Sequence, residues 1–237
     1  MTLPQRPMAV IAPVVLNNVG IRDRAHELLG TCFQVGSDLF MSANHVFGIT
    51  PPSGMEISVV LHDNDPITTY RTELLYSHPR LDIAVARVKG WPVDEPFVIS
   101  QATSLAMNAD VLTVEYSPTK TQVPLPDGRE SMPIAANWHK GNIVREYRAD
   151  FGARYIDLSY PALKGASGAP VIQEATGHVL GMVIGNVEQQ FLPAQIERTE
   201  HADGGADVIA RYFLPSAQAF RECHLAEVLS HVGDASS

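Results

Sequence analysis

About a dozen short apolar, β-branched segments, each closed off by turn-forming residues, constrain the fold of this chain more than any other feature. Six run at residues 8–16, 31–35, 39–42, 55–61, 73–76 and 83–88, separated by clusters such as Gly36-Ser37-Asp38 and Pro51-Pro52-Ser53-Gly54. A breaker-rich connector at residues 89–96 follows, and the series resumes at 110–116, 141–145, 154–159, 170–173, 179–186 and 208–214. Runs this short, bounded by Gly, Pro, Asp and Ser, read as strands. No helical segment alternates with them, which disfavours a parallel α/β sheet. The pattern predicts an all-β fold of two six-stranded antiparallel barrels. Residues 8–90 would form the first barrel and 97–215 the second, together one domain over 1–237. Helical spacing of Phe220, Leu225, Val228 and Leu229 predicts a closing amphipathic helix over 216–232, with Ser216 as its N-cap.

At 237 residues with 45% hydrophobic and 18% charged residues, the chain has ample core-forming content for such a fold. A formal charge of -9 and a pI near 5.4 argue against nucleic acid or an anionic membrane as the partner. No apolar run has the length of a membrane-spanning helix. The stretch 8–16 is interrupted by Pro13 and lacks a small-residue cleavage site, so it reads as a first strand rather than a leader. Two cysteines, Cys32 and Cys223, are too few for a disulfide scaffold and fit a cytoplasmic protein. The polar stretch 188–205 is too long for a routine hairpin, and loops of that length are often functional or mobile.

Chemistry concentrates in Gly165-Ala166-Ser167-Gly168-Ala169-Pro170. A serine among small residues in a tight turn presents its hydroxyl to a substrate, and the N–H of a glycine two positions earlier can point at the same spot. Alone, such a cluster is more often an ordinary turn. A serine nucleophile also needs a base and an orienting carboxylate. Most histidines here flank turns (His62, His78, His178, His201) or lie on the expected helix (His224, His231). His45 instead follows an apolar hairpin, in Ser42-Ala43-Asn44-His45-Val46, which places it at a barrel rim. Asp82 opens the apolar run Leu81-Asp82-Ile83-Ala84-Val85-Ala86, where partial burial demands a partner.

Taken in order, GTCFQV with SANHV, then LDIAVARV, then KGASGAPVI resemble the chymotrypsin-fold, trypsin-like serine proteases, in particular the bacterial Htr/Deg-type peptidase domains. The similarity extends over roughly residues 25–220. It implies Ser167 as nucleophile, His45 as general base and then acid, and Asp82 as its orienter. It further implies the N–H groups of Gly165 and Ser167 as oxyanion hole. Pro161, Ala162 and Leu163 would wall the primary pocket, and Ile184, Gly185 and Asn186 would form the edge strand that binds an extended peptide. No acidic residue sits among these positions, which points to small or medium aliphatic side chains at the cleavage site. Arg211 is an alternative route to acidic preference.

Ala166 departs from the digestive relatives, whose aspartate there clamps a newly cut N-terminus, and Ala169 replaces a frequent second glycine. Cys32 reads as a small buried residue. No HExxH or CxxC motif is present, so neither metal nor cofactor is expected. The expected partner is a protein or peptide substrate. Two alternatives stay open: a catalytically silent peptide-binding module, or a latent protease needing a regulatory protein partner, gated by the 188–205 loop.

Overall fold

The computed structural model describes residues 10–20, 27–61, 68–93, 95–101, 104–118, 123–124, 130–131, 133–190 and 213–234. Within them the chain forms β1 (Ile11–Asn18), β2 (Glu27–Gln34), β3 (Leu39–Ser42), a helical turn α1 (Asn44–Phe47), β4 (Met55–Leu61), β5 (Thr68–Ser77) and β6 (Ala84–Val88). These six strands close into an antiparallel barrel in the order β1-β2-β3-β6-β5-β4. After the connector come β7 (Asp110–Pro118), the short pair β8 (Val123–Pro124) and β9 (Glu130–Ser131), β10 (Ile134–Arg148), β11 (Arg154–Leu158), β12 (Pro170–Gln173), β13 (Val179–Gln190) and β14 (Phe213–Arg221). Of these, β10-β11-β14-β13-β12-β7 close the second barrel, and α2 (Glu222–Asp234) ends the described chain.

Strand β1 shows why the barrels sit back to back. Its residues 11–17 are all buried, although a strand with one solvated face should alternate. One face fills the first barrel and the other is covered by the second: the Tyr116 hydroxyl on β7 donates to the Ile11 carbonyl at 3.0 Å. A connected core runs from Phe33, Phe40 and Met41 through Tyr116 to Phe220 and Leu225 of the closing segments.

Three sequence expectations change. The helix begins at Glu222, not at Ser216; residues 216–221 belong to β14, where Ser216 pairs with Val187 instead of capping a helix. Ala217 and Ala219 are buried while Ser216 and Gln218 are half-buried, the period-two pattern of a strand that closes the barrel between β11 and β13. The stretch read as a loop from residue 188 starts as strand, since Glu188, Gln189 and Gln190 extend β13; residues 191–205 lie outside the described residues. So do Arg211 and residues 208–212 of the expected last strand; its residues 213–214 are strand and continue as β14 to Arg221. Among the described residues, no helix is long and apolar enough to cross a membrane.

Candidate active site

His45 lies on α1 at the rim of the first barrel. The N-cap position of this turn is Ala43, which has no side-chain oxygen to satisfy the first helical N–H groups. Asp82, from the segment entering β6, supplies it instead. Its Oδ1 accepts the His45 backbone N–H at 2.8 Å, its carboxylate also takes the Asn44 N–H, and its Oδ2 lies 2.5 Å from His45 Nδ1. One carboxylate therefore fixes both the backbone and the ring of His45. Ser77 at the end of β5 donates to the Asn44 side-chain oxygen at 2.6 Å and holds the turn from the other side.

The electrostatics follow from this geometry. The hydrogen bond to Asp82 raises the His45 pKa, burial opposes it, and the Asp82 charge adds to it, leaving His45 above its ordinary 6.5. Burial pushes the Asp82 carboxyl up, but the hydrogen bonds from the His45 ring, the His45 N–H and the Asn44 N–H outweigh it and hold the acid below its usual value.

Ser167 lies in the second barrel, in the turn that leads into β12. The preceding turn at residues 163–166 is closed by the Ala166 N–H donating to Leu163 O at 3.0 Å, with Gly165 at φ +100°. A positive φ at the third position makes this a type II turn, which glycine accommodates. A Cβ at Gly165 would collide with the Tyr116 carbonyl, and one at Gly168 (φ +88°) with Ser42 Oγ and the Thr31 carbonyl. The same close approach brings the Ser167 turn against residues 42–46: Gly30 is wedged between the Ser167 carbonyl and the Val46 side chain.

Hydrogen bonding in the turn alternates. The 165–166 peptide is tied at both ends, its carbonyl to Thr31 Oγ1 (2.8 Å) and its N–H to Leu163. The 167–168 peptide is likewise tied, its carbonyl by the Thr31 N–H (2.9 Å) and its N–H to Val183 O (2.8 Å). On the peptides immediately preceding each of these two, the N–H groups of Gly165 and Ser167 have no acceptor among the described residues. The Ser167 hydroxyl lies 3.4 Å from the Ile184 carbonyl, and no hydrogen bond joins it to His45. The structure thus forms the expected His45–Asp82 pair but not the expected Ser167–His45 bond, because the hydroxyl is turned toward β13.

The remaining expected residues fall in two segments that a hydrogen-bonded side chain joins. Pro161, Ala162 and Leu163 precede the Ser167 turn, while Ile184, Gly185 and Asn186 lie on β13. Beyond Val183 this edge of β13 leaves β12 and has no further strand partner there among the described residues. The Asn186 carboxamide spans the two segments, accepting the Ala162 N–H at 2.7 Å and donating to the Ala162 carbonyl at 2.8 Å.

Next to this segment sits a pair missed by sequence reasoning, a buried Glu115 and a half-buried His139. Glu115 on β7 takes the Leu163 N–H and lies 3.1 Å from His139 Nε2, and His139 stacks on Tyr160. Burial raises the Glu115 pKa, opposed by His139 and the Leu163 N–H. Thr31, Ser42 and Asn44 were also missed, although all three lie within the quoted motifs. Cys32 is buried, its thiol directed at the Ala12 carbonyl (3.4 Å), and burial drives its pKa up. Among the described residues, no three His, Cys, Asp or Glu side chains converge to hold a metal.

The family model of the trypsin-like peptidase domain matches residues 30–182, more than half of the chain. The chain belongs to the trypsin-like peptidases. Among solved structures this peptidase domain is similar to the inactive form of an M. tuberculosis H37Rv protein, Rv3671c, carrying a serine-to-alanine mutation (16% identity, TM-score 0.57, covering 100% of this chain and 97% of that one). It is also similar to the active form of the Rv3671c protease of M. tuberculosis (18% identity, TM-score 0.57, 96% and 82% covered). A third similar structure is the HtrA-type protease AlgW with a decapeptide (14% identity, TM-score 0.58, 97% and 66% covered). At these identities the likeness is one of fold. No curated protein matches the chain.

Proposed function

We propose that this trypsin-like peptidase is a serine endopeptidase in which Ser167 is the nucleophile, His45 the general base and acid, and Asp82 the orienting carboxylate. The observation that carries this reading is the pair of acceptor-free N–H groups, on Gly165 and Ser167, in a turn whose other peptides are tied down beside a completed His45–Asp82 pair. Two fixed donors with nothing to donate to suit an oxyanion that exists only during reaction.

In this mechanism an extended substrate pairs with Ile184–Asn186 by strand addition. A substrate N–H that donates to the Ile184 carbonyl displaces the Ser167 hydroxyl, which rotates toward His45 Nε2. Ser167 Oγ attacks the substrate carbonyl carbon as its proton passes to His45, and the oxyanion receives the N–H groups of Gly165 and Ser167. Collapse breaks the C–N bond, with His45 returning the proton to the leaving amine. Water then attacks the acyl ester, giving its proton to His45, which restores it to Ser167. Asp82 stabilises the imidazolium in both halves. With no acidic residue among Pro161, Ala162, Leu163 and Ile184–Asn186, the cleavage site favours small or medium aliphatic side chains. The unpaired thiols of Cys32 and Cys223 support a reducing, cytoplasmic setting.

One observation favours a second reading, a latent protease: the resting hydroxyl lies on Ile184, not on His45. Here a partner protein, not the substrate, would turn it. Cleavage of a peptide library by the wild type and by Ser167→Ala separates these readings. The endopeptidase reading predicts cuts after small residues, lost in the variant. An inactive wild type that a partner awakens would support latency, and cuts that persist in Ser167→Ala would sink both.

A further inference from the structure

We infer that Thr31 is the positioning residue that sets the oxyanion donors and holds the nucleophile turn in register with the general base; this rests on Ser167 being the nucleophile. Thr31 is fully buried in β2, and every polar atom it has is engaged. Its N–H donates to the Ser167 carbonyl at 2.9 Å and its Oγ1 to the Gly165 carbonyl at 2.8 Å. These are the carbonyls of the same two residues whose N–H groups have no acceptor. Its Oγ1 also accepts the Tyr116 N–H of β7 at 3.0 Å, and its carbonyl accepts the Ser42 hydroxyl at 2.7 Å. Ser42 ends β3, three residues before His45.

A single residue of the first barrel thereby grips the nucleophile turn, the strand beneath it and the strand that delivers the base. A hydroxyl has one proton and two lone pairs. In Thr31 the proton goes to Gly165, leaving only a lone pair for Tyr116, so no arrangement without a hydroxyl satisfies both. Tying the Gly165 carbonyl fixes the peptide following that residue, and the backbone bond to Ser167 does the same two residues later. The peptides that carry the Gly165 and Ser167 N–H groups each adjoin one of these two anchored peptides. Without the hydroxyl, the Gly165 end of the turn loses its tie to the first barrel while the Ser167 end keeps its own.

Thr31→Val keeps the shape and removes the hydroxyl, whereas Thr31→Ser keeps the hydroxyl. Kinetics on a cleaved peptide and the rate of Ser167 modification by a fluorophosphonate should be measured for both, normalised to the folded fraction by near-ultraviolet circular dichroism. Thr31→Val is expected to lower kcat and the modification rate about 10²-fold, the loss typical of a misplaced reacting group, with KM nearly unchanged. Thr31→Ser should recover most of the rate. Full activity in Thr31→Val, equal loss in both variants, or a loss confined to KM would overturn the inference. Should Thr31→Val fail to fold, Thr31→Ser and Ser42→Ala carry the test: near-wild-type rates in the first and a kcat loss in the second are expected, and an impaired Thr31→Ser would overturn it. A wild type whose Ser167 is never modified would overturn the nucleophile reading itself, and this inference with it.

Discussion

His45 and Asp82 come from the same barrel and are joined side chain to side chain, whereas Ser167 sits in the other barrel in a turn held by groups from three other strands. The first half of the site carries its own support. Asp82 caps the helical turn that bears His45 and binds the ring with the same carboxylate, so packing of the second barrel is not needed to orient it. The second half is built on loans from elsewhere: Thr31 from β2, Val183 from β13 and Glu115 from β7 fix successive peptides around Ser167. The acid–base pair should therefore survive damage to the nucleophile turn, and the turn should respond to changes far from Ser167 in sequence.

Asp82→Asn offers the largest effect. It removes the charge that favours the imidazolium and alters the acceptor that sets the ring tautomer, so kcat should fall about 10⁴-fold. The midpoint of the rate–pH profile should also move down toward the ordinary histidine value, since the Asp82 contact is what raises His45. A variant within tenfold of wild type would mean that the pair is structural only.

Gly168→Ala tests the other half. Its Cβ would collide with Ser42 Oγ and the Thr31 carbonyl, at a φ of +88° that disfavours any side chain. A cost of about 1–3 kcal/mol from the backbone alone should lower Tm by several degrees, with fluorophosphonate labelling cut at least a hundredfold. Nuclear magnetic resonance of His45 in the folded protein should still show its raised titration. If that titration collapsed as well, the two halves would not be independent.

The sequence made the fold legible because most of the barrel strands leave a short apolar, β-branched run between turn residues. It was less legible where pairing, not composition, makes the strand. The first half of β10, Ala135-Ala136-Asn137-Trp138-His139-Lys140, has little β-branched character and is a strand because β7 pairs with it along its length. Ser216 looked like a cap since Ser precedes a helical spacing of apolar residues, but barrel closure needs a partner for β13 and extends the strand to Arg221. His45, Asp82 and Ser167 were legible because polar residues interrupt apolar or small-residue runs at those points. Thr31, Ser42 and Glu115 were not, since a buried hydroxyl or carboxylate in a strand leaves no pattern until the strands are brought together.

The rate of covalent modification of Ser167 by a fluorophosphonate, followed by mass spectrometry from pH 5 to 9, bears most directly on the acid–base assignment. Neutral His45 is the reactive form, so the rate should rise through a single ionisation centred above 6.5. The sign of the accompanying stability change is opposite. A raised folded-state pKa means that protonated His45 contributes stability fully below 6.5, and that contribution is lost as pH climbs through the same window. A rate that is flat across this range, or a label carried by a residue other than Ser167, would contradict the account.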